Sequence, residues 1–492
     1  MTARAHARNV KSARNVSLYS EKKRLKTRRV AARVKNTVKR KVKNGRRAPV
    51  YRRSDLKAVK GRFFFGGVHV PDEKSLAKAS PIDKLQQPPE VKIAMKQSLG
   101  RPAVPCVKAG DSVAEGQLIA TADCAVSSNV FASISGTVTE ICELENECGA
   151  KDTFIAIKGD GEGRKTFLSP LSDPSPEEIV QRIQDAGIVG LGGAGFPTAV
   201  KLKPHNPVDT FIINGSECEP YLTCDYRVMI ENTDEVARGA RYIAKALGVS
   251  DIIIGIETNK PDCIAAFEKY DDIKVVALRK TYPMGGEKQL IYSCTGRKVP
   301  AGKLPSDVGV IVNNVATCLA VCEAIELGKP AYEAILTVSG RAIKNCANVK
   351  VPVGTPFGYI VEQCGGEASA PKKVVLGGPM TGVAIKSYDS YVKKTTSGIL
   401  LLSEKEAAAE EPTPCLNCGL CADHCPMHLM PMNTAFYSSA GDFENAVKLG
   451  GTLYCIECGV CEYVCPAKRP LLQAIRKTKN AVRAQGKTEG GK

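Results

Sequence analysis

The sequence has no run of about 18 apolar residues. Its N-terminus also lacks the apolar stretch of roughly 7 to 15 residues on which a secretory signal depends. A membrane-spanning helix and an export signal are not expected, and the protein should be soluble while free to sit on a membrane. Acidic residues are nearly missing from the first 60 positions, where 22 Lys and Arg face only Glu21 and Asp55, a net charge of +20. Subtracting these from the chain totals of 69 basic and 51 acidic residues leaves 47 and 49 over 61–492, a net of −2, so the overall +18 belongs to the tail alone. Tyr19 and Tyr51 are the only aromatics in that tail, and the remainder is near neutral. A nucleic-acid partner is therefore not expected. The five histidines offer no pair at metal-ligand spacing; His424 and His428 lie beside cysteines but are read, with the others, as structural or solvated.

What is present is a chain of 492 residues, 43% hydrophobic, long enough for three or four domains of about 100 to 200 residues each. Twenty cysteines would suggest disulfides in a short secreted chain, but eight of them fall in two tight clusters typical of metal ligation. A reducing compartment is expected. The first 60 residues have too few apolar positions to bury much surface and are expected to be disordered. Residues 104–141 read as short strands broken by Gly-Asp and Glu-Gly turns, a small β-rich module. From about 175 to 325 the pattern alternates: helices at 176–186, 233–247 and 315–327, and strands at 210–214, 251–257, 275–279 and 308–314. That alternation predicts a parallel sheet flanked by helices. Residues 333–385 return to strands and Gly/Pro turns, with AILTVSG, VGTPFGYIV and KKVVLGG as examples. SEKEAAAEEPTP then reads as a linker.

The run Cys415-x2-Cys418-x2-Cys421-x3-Cys425-Pro recurs as Cys455-x2-Cys458-x2-Cys461-x3-Cys465-Pro, 40 residues later. This is the two-cluster ferredoxin pattern, in which the fourth cysteine of each run ligates the other run's cluster. Cys415, Cys418, Cys421 and Cys465 are thus assigned to one 4Fe-4S cluster, and Cys455, Cys458, Cys461 and Cys425 to the other. An all-cysteine zinc site would need two C-x2-C pairs, not two four-cysteine runs each ending in Cys-Pro. The remaining twelve cysteines lack such spacing and are expected to pack as small hydrophobes.

Residues 187–197, GIVGLGGAGFP, formally satisfy G-x-G-x-x-G at Gly190, Gly192 and Gly195, but a helical segment precedes them where a nicotinamide Rossmann site needs a strand. The glycines still let backbone N–H groups approach a phosphate or a flavin closely, while a plain helix-to-strand connection would use them equally well. Two further stretches stand at strand ends, where α/β sheets bind ligands. Asn214, Glu217 and Glu219 follow the strand TFIIN, and Asn313, Asn314 and Thr317 join a strand to a helix N-terminus suited to phosphate. Between them comes Tyr282-Pro-Met-Gly285-Gly286-Glu287-Lys288. Each stretch alone could equally be a cap or a turn.

Taken in order, GGVHVPDEK (66–74), GLGGAGFPTAVK (190–201), INGSECEPY (213–221), YPMGGEKQL (282–290), NNVAT (313–317) and the two cysteine runs resemble the C subunit of the Rnf-type ion-translocating ferredoxin:NAD oxidoreductase over about 61–475. The middle region resembles the flavin subunit of respiratory complex I. The alternative is a soluble cobalamin reductase, whose family has similar parts but places its β-module after the flavin domain; the order here favours the Rnf type. The resemblance implies a multidomain α/β protein: a barrel-sandwich β module (61–165), a Rossmann-like α/β flavin domain (166–328), a β-grasp module (329–402) and a two-cluster ferredoxin-like helical domain (403–480), between a basic tail (1–60) and a second disordered tail (481–492). It implies that Gly190, Gly192, Gly193, Gly195 and Lys201 cradle FMN, that Asn214, Asn313, Asn314 and Thr317 hold its ring edge and phosphate, and that Glu217, Glu219 and Glu287 face NAD(H). The complex I pattern carries Gly-Glu-Glu where this chain has Gly285-Gly286-Glu287, and Asp where it has Ser216. The barrel tip FASISGTV holds no lysine to modify, which leaves a docking role. Partners would be the other subunits of the complex, with ferredoxin reached indirectly, at the cytoplasmic face of a bacterial membrane. The basic tail has three readings: a solvated extension, an anchor to anionic lipid, or translation from a start upstream of the true one at Val59.

Overall fold

The computed structural model describes residues 57–147, 149–407 and 410–489. The basic tail, to which the three readings apply, lies outside this range except for its last four residues, 57–60. At its centre is a five-stranded, wholly parallel sheet in the order Val59–Lys60, Ile273–Leu278, Asp251–Glu257, Thr210–Gly215, Val310–Asn314. Successive strand residues face opposite ways and feed two cores. Phe211, Ile213, Ile252 and Ile254 meet the helices Pro176–Asp185, Thr233–Leu247 and Val315–Glu326. Ile212, Ile253, Val276 and Val312 meet Phe64 and the helix Glu287–Thr295 on the other face. Both faces are covered, which explains why these strands read as continuous runs of Ile and Val. The two helices at 233–247 and 315–326 cross so closely that a Cβ on Gly239 would stand 1.8 Å from the carbonyl oxygen of Cys318, so only glycine fits there.

The strand at 59–60 lies inside the segment read from sequence as basic tail. It extends the sheet from the far edge, with Val59 and Lys60 opposite Val276 and Ala277. Within the 61–165 module not every segment stays with the module's own sheets. Its two sheets run from Glu90 to Gly159, whereas Phe64 packs into the parallel-sheet core and Ile82–Lys84 joins the sheet of the next domain.

That next sheet has six mixed strands, in the order Val383–Ile385, Lys373–Leu376, Gly398–Leu402, Glu333–Ser339, Ala347–Pro352, Ile82–Lys84. VGTPFGYIV, read as strand-rich, supplies instead the helix Phe357–Gln363. Phe357, Ile360 and Val361 form its buried stripe, the i, i+3, i+4 spacing of a helix face. The linker read at 403–414 is tied down at its start, where Glu406 accepts hydrogen bonds from Ser403 and Tyr221.

The cysteine-rich domain is helical and internally repeated. Leu420–Asp423 and Val460–Tyr463 are equivalent short helices, and each run is continued by a helix, Pro431–Ser439 or Leu471–Glu489. The repeat extends to backbone dihedrals: Asn417 and Glu457, Gly419 and Gly459, and His428 and Lys468 all take left-handed φ at matching positions. The last helix reaches Glu489, so the tail expected to be disordered from 481 is helical over most of its length. Among the described residues no helix is long and apolar enough to cross a membrane.

Candidate functional site

Strand order reverses at Thr210–Gly215: the chain moves from it to 251–257 on one side and later to 310–314 on the other. In such sheets the crevice beyond the carboxyl ends at the reversal is the ligand site. Asn214 and Asn314 are register partners there, as are Ile213 and Asn313. The glycine loop folds over this point. It leaves the helix Pro176–Asp185, itself started by a Ser175/Glu178 capping box, and closes through an isolated bridge between Val189 and Pro197. Leu191 N–H donates to Thr317 Oγ1 at 3.0 Å. Asn314 caps the helix Val315–Glu326 by accepting from Ala316 N–H at 2.7 Å. A Cβ on Gly192 would lie 2.8 Å from Asn314 Nδ2, so the glycine is needed where loop and cap touch. Gly190, Gly192, Gly193, Gly195, Asn314 and Thr317 therefore share one locality.

Asn214 Nδ2 donates to Gly285 O at 3.0 Å and so links the first loop to YPMGG. Lys201 pairs with Glu287 at 2.7 Å. Glu217 and Glu219 are engaged elsewhere. Glu217 Oε1 accepts from Asp225 N–H at 2.8 Å, and its other oxygen lies 3.5 Å from Lys74 Nζ. Glu219 accepts from Thr381 Oγ1 at 2.5 Å and Met380 N–H at 3.1 Å, across the boundary with the third domain. Burial raises the Glu219 carboxyl above its ordinary range. Glu287 shares no hydrogen bond with either of these among the described residues, so the three glutamates do not form one cluster.

Residues given no role in the sequence complete the site. Asp225 accepts from Asn314 Nδ2 at 2.7 Å; burial, reinforced by the Glu217 carboxylate, pushes its carboxyl up to about 7. Lys74 donates to the carbonyls of Glu219 and Leu222. Lys260 donates to Glu257 at 2.8 Å and to Glu217 O at 3.3 Å. Glu217, Cys224 and Asp225 bring their ligand atoms within 4.8 Å of one another, but the two buried lysines already offset their charge, so a cation is not required. Lys74 was visible in the sequence only as part of GGVHVPDEK; Asp225 and Lys260 carried no spacing signal.

The cysteines divide as the interleaved pattern requires. Cys415, Cys418, Cys421 and Cys465 line one cavity of about 210 Å³. Cys425, Cys455, Cys458 and Cys461 line another. The first lies near solvent, with Cys415 and Cys418 exposed; in the second, Cys425, Cys458 and Cys461 are buried. Burial holds the Cys458 thiol up at about 12, so metal loading there must displace protons. The second cavity adjoins the parallel sheet's loops, since Cys458 and Val460 pack with Tyr282, Cys218 and Met380. The segment 66–74 joins the parts. Gly67 N–H donates to His424 O at 2.8 Å, Val68 bridges Tyr282, Asp72 O accepts from Tyr221 N–H at 2.8 Å, and Lys74 holds the Glu217 loop.

The residues present fit both kinds of group. Four thiols around each cavity are the donor set of a cubane. At the switch point Asn313 Nδ2, Ser216 Oγ and Thr198 Oγ1 are buried without a hydrogen-bond partner, which native proteins seldom leave so. Thr198 directly follows the glycine loop, and Ser216 and Asn313 stand at the carboxyl ends of the strands Thr210–Gly215 and Val310–Asn314, places from which such donors can serve a polar ligand.

Comparison with known families gives four matches in chain order. The chain matches the RnfC barrel sandwich hybrid domain over 62–162, the Nuo51 FMN-binding domain over 183–323, the SLBB domain over 335–384 and the 4Fe-4S dicluster domain over 414–469. It is 42% identical to the C subunit of the proton-translocating ferredoxin:NAD(+) oxidoreductase complex of Clostridium ljungdahlii, covering 87% of this chain and 96% of that one. It is 41% identical to the Na(+)-translocating counterpart of Acetobacterium woodii, over 87% and 98%. With the C subunit of the ion-translocating oxidoreductase complex of Rhodobacter capsulatus the identity is 40%, over 78% and 76%. An FMN-binding domain and a dicluster domain in this order, on relatives matched nearly end to end, place the chain in the family of C subunits of the ion-translocating ferredoxin:NAD oxidoreductase complexes.

Proposed function

We propose that this chain is the subunit of an Rnf-type complex through which electrons pass between NAD(H), FMN and two 4Fe-4S clusters, at the cytoplasmic face of the membrane, with the other subunits as partners and ferredoxin reached indirectly. The observation that carries the reading is the placement of the buried four-cysteine cavity directly against Tyr282 and Cys218, on loops leading from the flavin crevice. FMN supplies hydride exchange with NAD(H) and single-electron exchange with the clusters. The chain's own residues bind and orient. Gly190, Gly192, Gly193 and Gly195 leave room for close backbone approach, and Thr317 with the N-terminus of its helix suits phosphate. Lys201 adds a cation, and Asn313 and Asn214 offer amides to the ring edge. Glu287, at the start of its helix, is the glutamate left for the nucleotide, with Glu217 and Glu219 shaping the loop beside it. Cys425, Cys455, Cys458 and Cys461 would hold the cluster facing the flavin, and Cys415, Cys418, Cys421 and Cys465 the one facing solvent. We further read the parallel-sheet domain as Rossmann-like and the 333–402 sheet as a β-grasp. A cobalamin reductase would place its β-module after the parallel sheet, whereas here residues 90–159 come before it.

The test is flavin and iron content of the anaerobically purified chain, followed by bleaching of its absorbance with NADH. About one FMN and about eight irons, with bleaching, is the expected result. Bound FMN that NADH fails to bleach would remove the nucleotide role, and iron without flavin would leave a two-cluster carrier.

A further inference from the structure

Lys394 is 3% exposed, and no carboxylate among the described residues pairs with it. Its ammonium instead donates to Asn129 O at 2.7 Å, Gly187 O at 2.8 Å and Ser128 Oγ at 3.2 Å, with the Phe131 ring centre 5.6 Å away. Three neutral acceptors use all three donors. Burial alone drives the group down to about 7. A cation kept out of water without a counter-charge is costly, and such residues concentrate where function demands them.

Its position gives the demand a form. Ser128 and Asn129 belong to the barrel sandwich, Lys394 to the third domain, and Gly187 opens the glycine loop. The far end of that loop is braced by the next residue: a Cβ on Gly195 would stand 2.9 Å from Thr395 Cγ2, and Leu99 N–H donates to Gly195 O at 3.0 Å. Lys394 N–H in turn donates to Gln97 Oε1 at 2.9 Å. Both β modules thus converge behind the loop at 394–395. Merely tying those modules together does not require this lysine, because Lys393 already bridges to Glu147 at 2.9 Å and to Asp152 at 3.8 Å.

We propose that Lys394 is a positioning residue for the flavin-binding loop: by holding the Gly187 carbonyl from behind, it fixes the conformation in which residues 190–195 receive the phosphate-bearing cofactor. The inference rests on the reading of that loop as the FMN site. It is tested on the full chain by comparing Lys394→Met, Lys393→Met and Ser128→Ala with the parent, using FMN dissociation constants from flavin fluorescence and thermal midpoints. Lys394→Met is expected to weaken FMN binding at least tenfold and Ser128→Ala a few-fold, while Lys393→Met stays within twofold. FMN binding unchanged in Lys394→Met, or weakened equally by Lys393→Met, would overturn the proposal. If Lys394→Met does not fold, Ser128→Ala decides, and an unchanged constant overturns it. If the parent itself binds no FMN, the reading of the loop fails instead. Amide exchange over 187–196 then tests Lys394: faster exchange in either Lys394→Met or Ser128→Ala supports it, and unchanged exchange refutes it.

Discussion

Gly192 carries two constraints at one Cα. Its φ of +73° is left-handed, and a Cβ would stand 2.8 Å from Asn314 Nδ2. Left-handed backbone costs a residue with a side chain about 1 to 2 kcal/mol, and the clash displaces the cap of the helix Val315–Glu326. Gly192→Ala should therefore weaken FMN binding about tenfold or more, measured by equilibrium dialysis, while both clusters load normally. Asp225 bears on the same cap from below. Its carboxyl is raised from an ordinary 3.8 to about 7, by burial first and the Glu217 carboxylate second, with Asn314, Lys260 and Lys74 opposing. Between those values the folded chain keeps a proton that the unfolded chain has released. This residue's contribution to stability thus falls as pH rises from about 4 to 7, by at most about 1.4 kcal/mol per pH unit, and levels off above 7. Asp225→Asn removes the titration and should raise the thermal midpoint more at pH 8 than at pH 5; an equal shift at both would refute the assignment. Such residues were invisible in the sequence, where Asp225 is one acid among many. The cysteines were legible because their ligand chemistry demands a fixed spacing, and Gly192 and Gly195 because positive φ demands glycine.

The legibility of whole elements followed burial. The helix expected at 233–247 and the strand at 251–257 have those bounds in the structure, since an amphipathic stripe and an unbroken Ile run state their periods plainly. Phe357–Gln363 did not, because its flanking Gly and Pro are turn signals, although Pro356 stands at the start of the helix. The 66–74 segment has no periodicity at all; what it does depends on partners distant in sequence, His424, Tyr282, Tyr221 and Glu217. Gly66 in it has φ +87°, and a Cβ there would lie 2.8 Å from Cys425 O. Gly66→Ala should dislodge Cys425 and lower iron from about eight to about four per chain, by colorimetric iron assay; the surviving cluster's spectrum should match that of Cys425→Ala, not Cys465→Ala. Around the more open cavity, Leu416 and Phe436 are 64% and 67% exposed and both line it. An apolar rim on a near-surface redox centre marks a contact surface. The double change Leu416→Lys and Phe436→Lys should slow reduction of the protein partner at least tenfold while leaving NADH:ferricyanide turnover unaltered.

At the scale of the molecule, three β-containing domains surround one crevice, and the cysteine-rich domain is held to it through the hydrogen bond from Gly67 to His424 and the packing of Tyr282 and Met380 against Cys458 and Val460. The barrel sandwich, read as a docking module for want of a lysine at its tip, meets the crevice through Leu99, Ser128 and Asn129.

The edge strand Val59–Lys60 has a consequence for biosynthesis. It precedes in the chain everything it joins: Ala58 N–H bonds Glu268, 210 residues later, and Gly67 waits for His424. At 5 to 20 residues per second on the ribosome, about 10 to 40 s pass before the first of these partners exists. Phe64, buried in the finished fold with Val276 and Leu278, is likewise made before those residues exist, so the nascent segment that later locks cofactor domain to cluster domain is expected to depend on a chaperone.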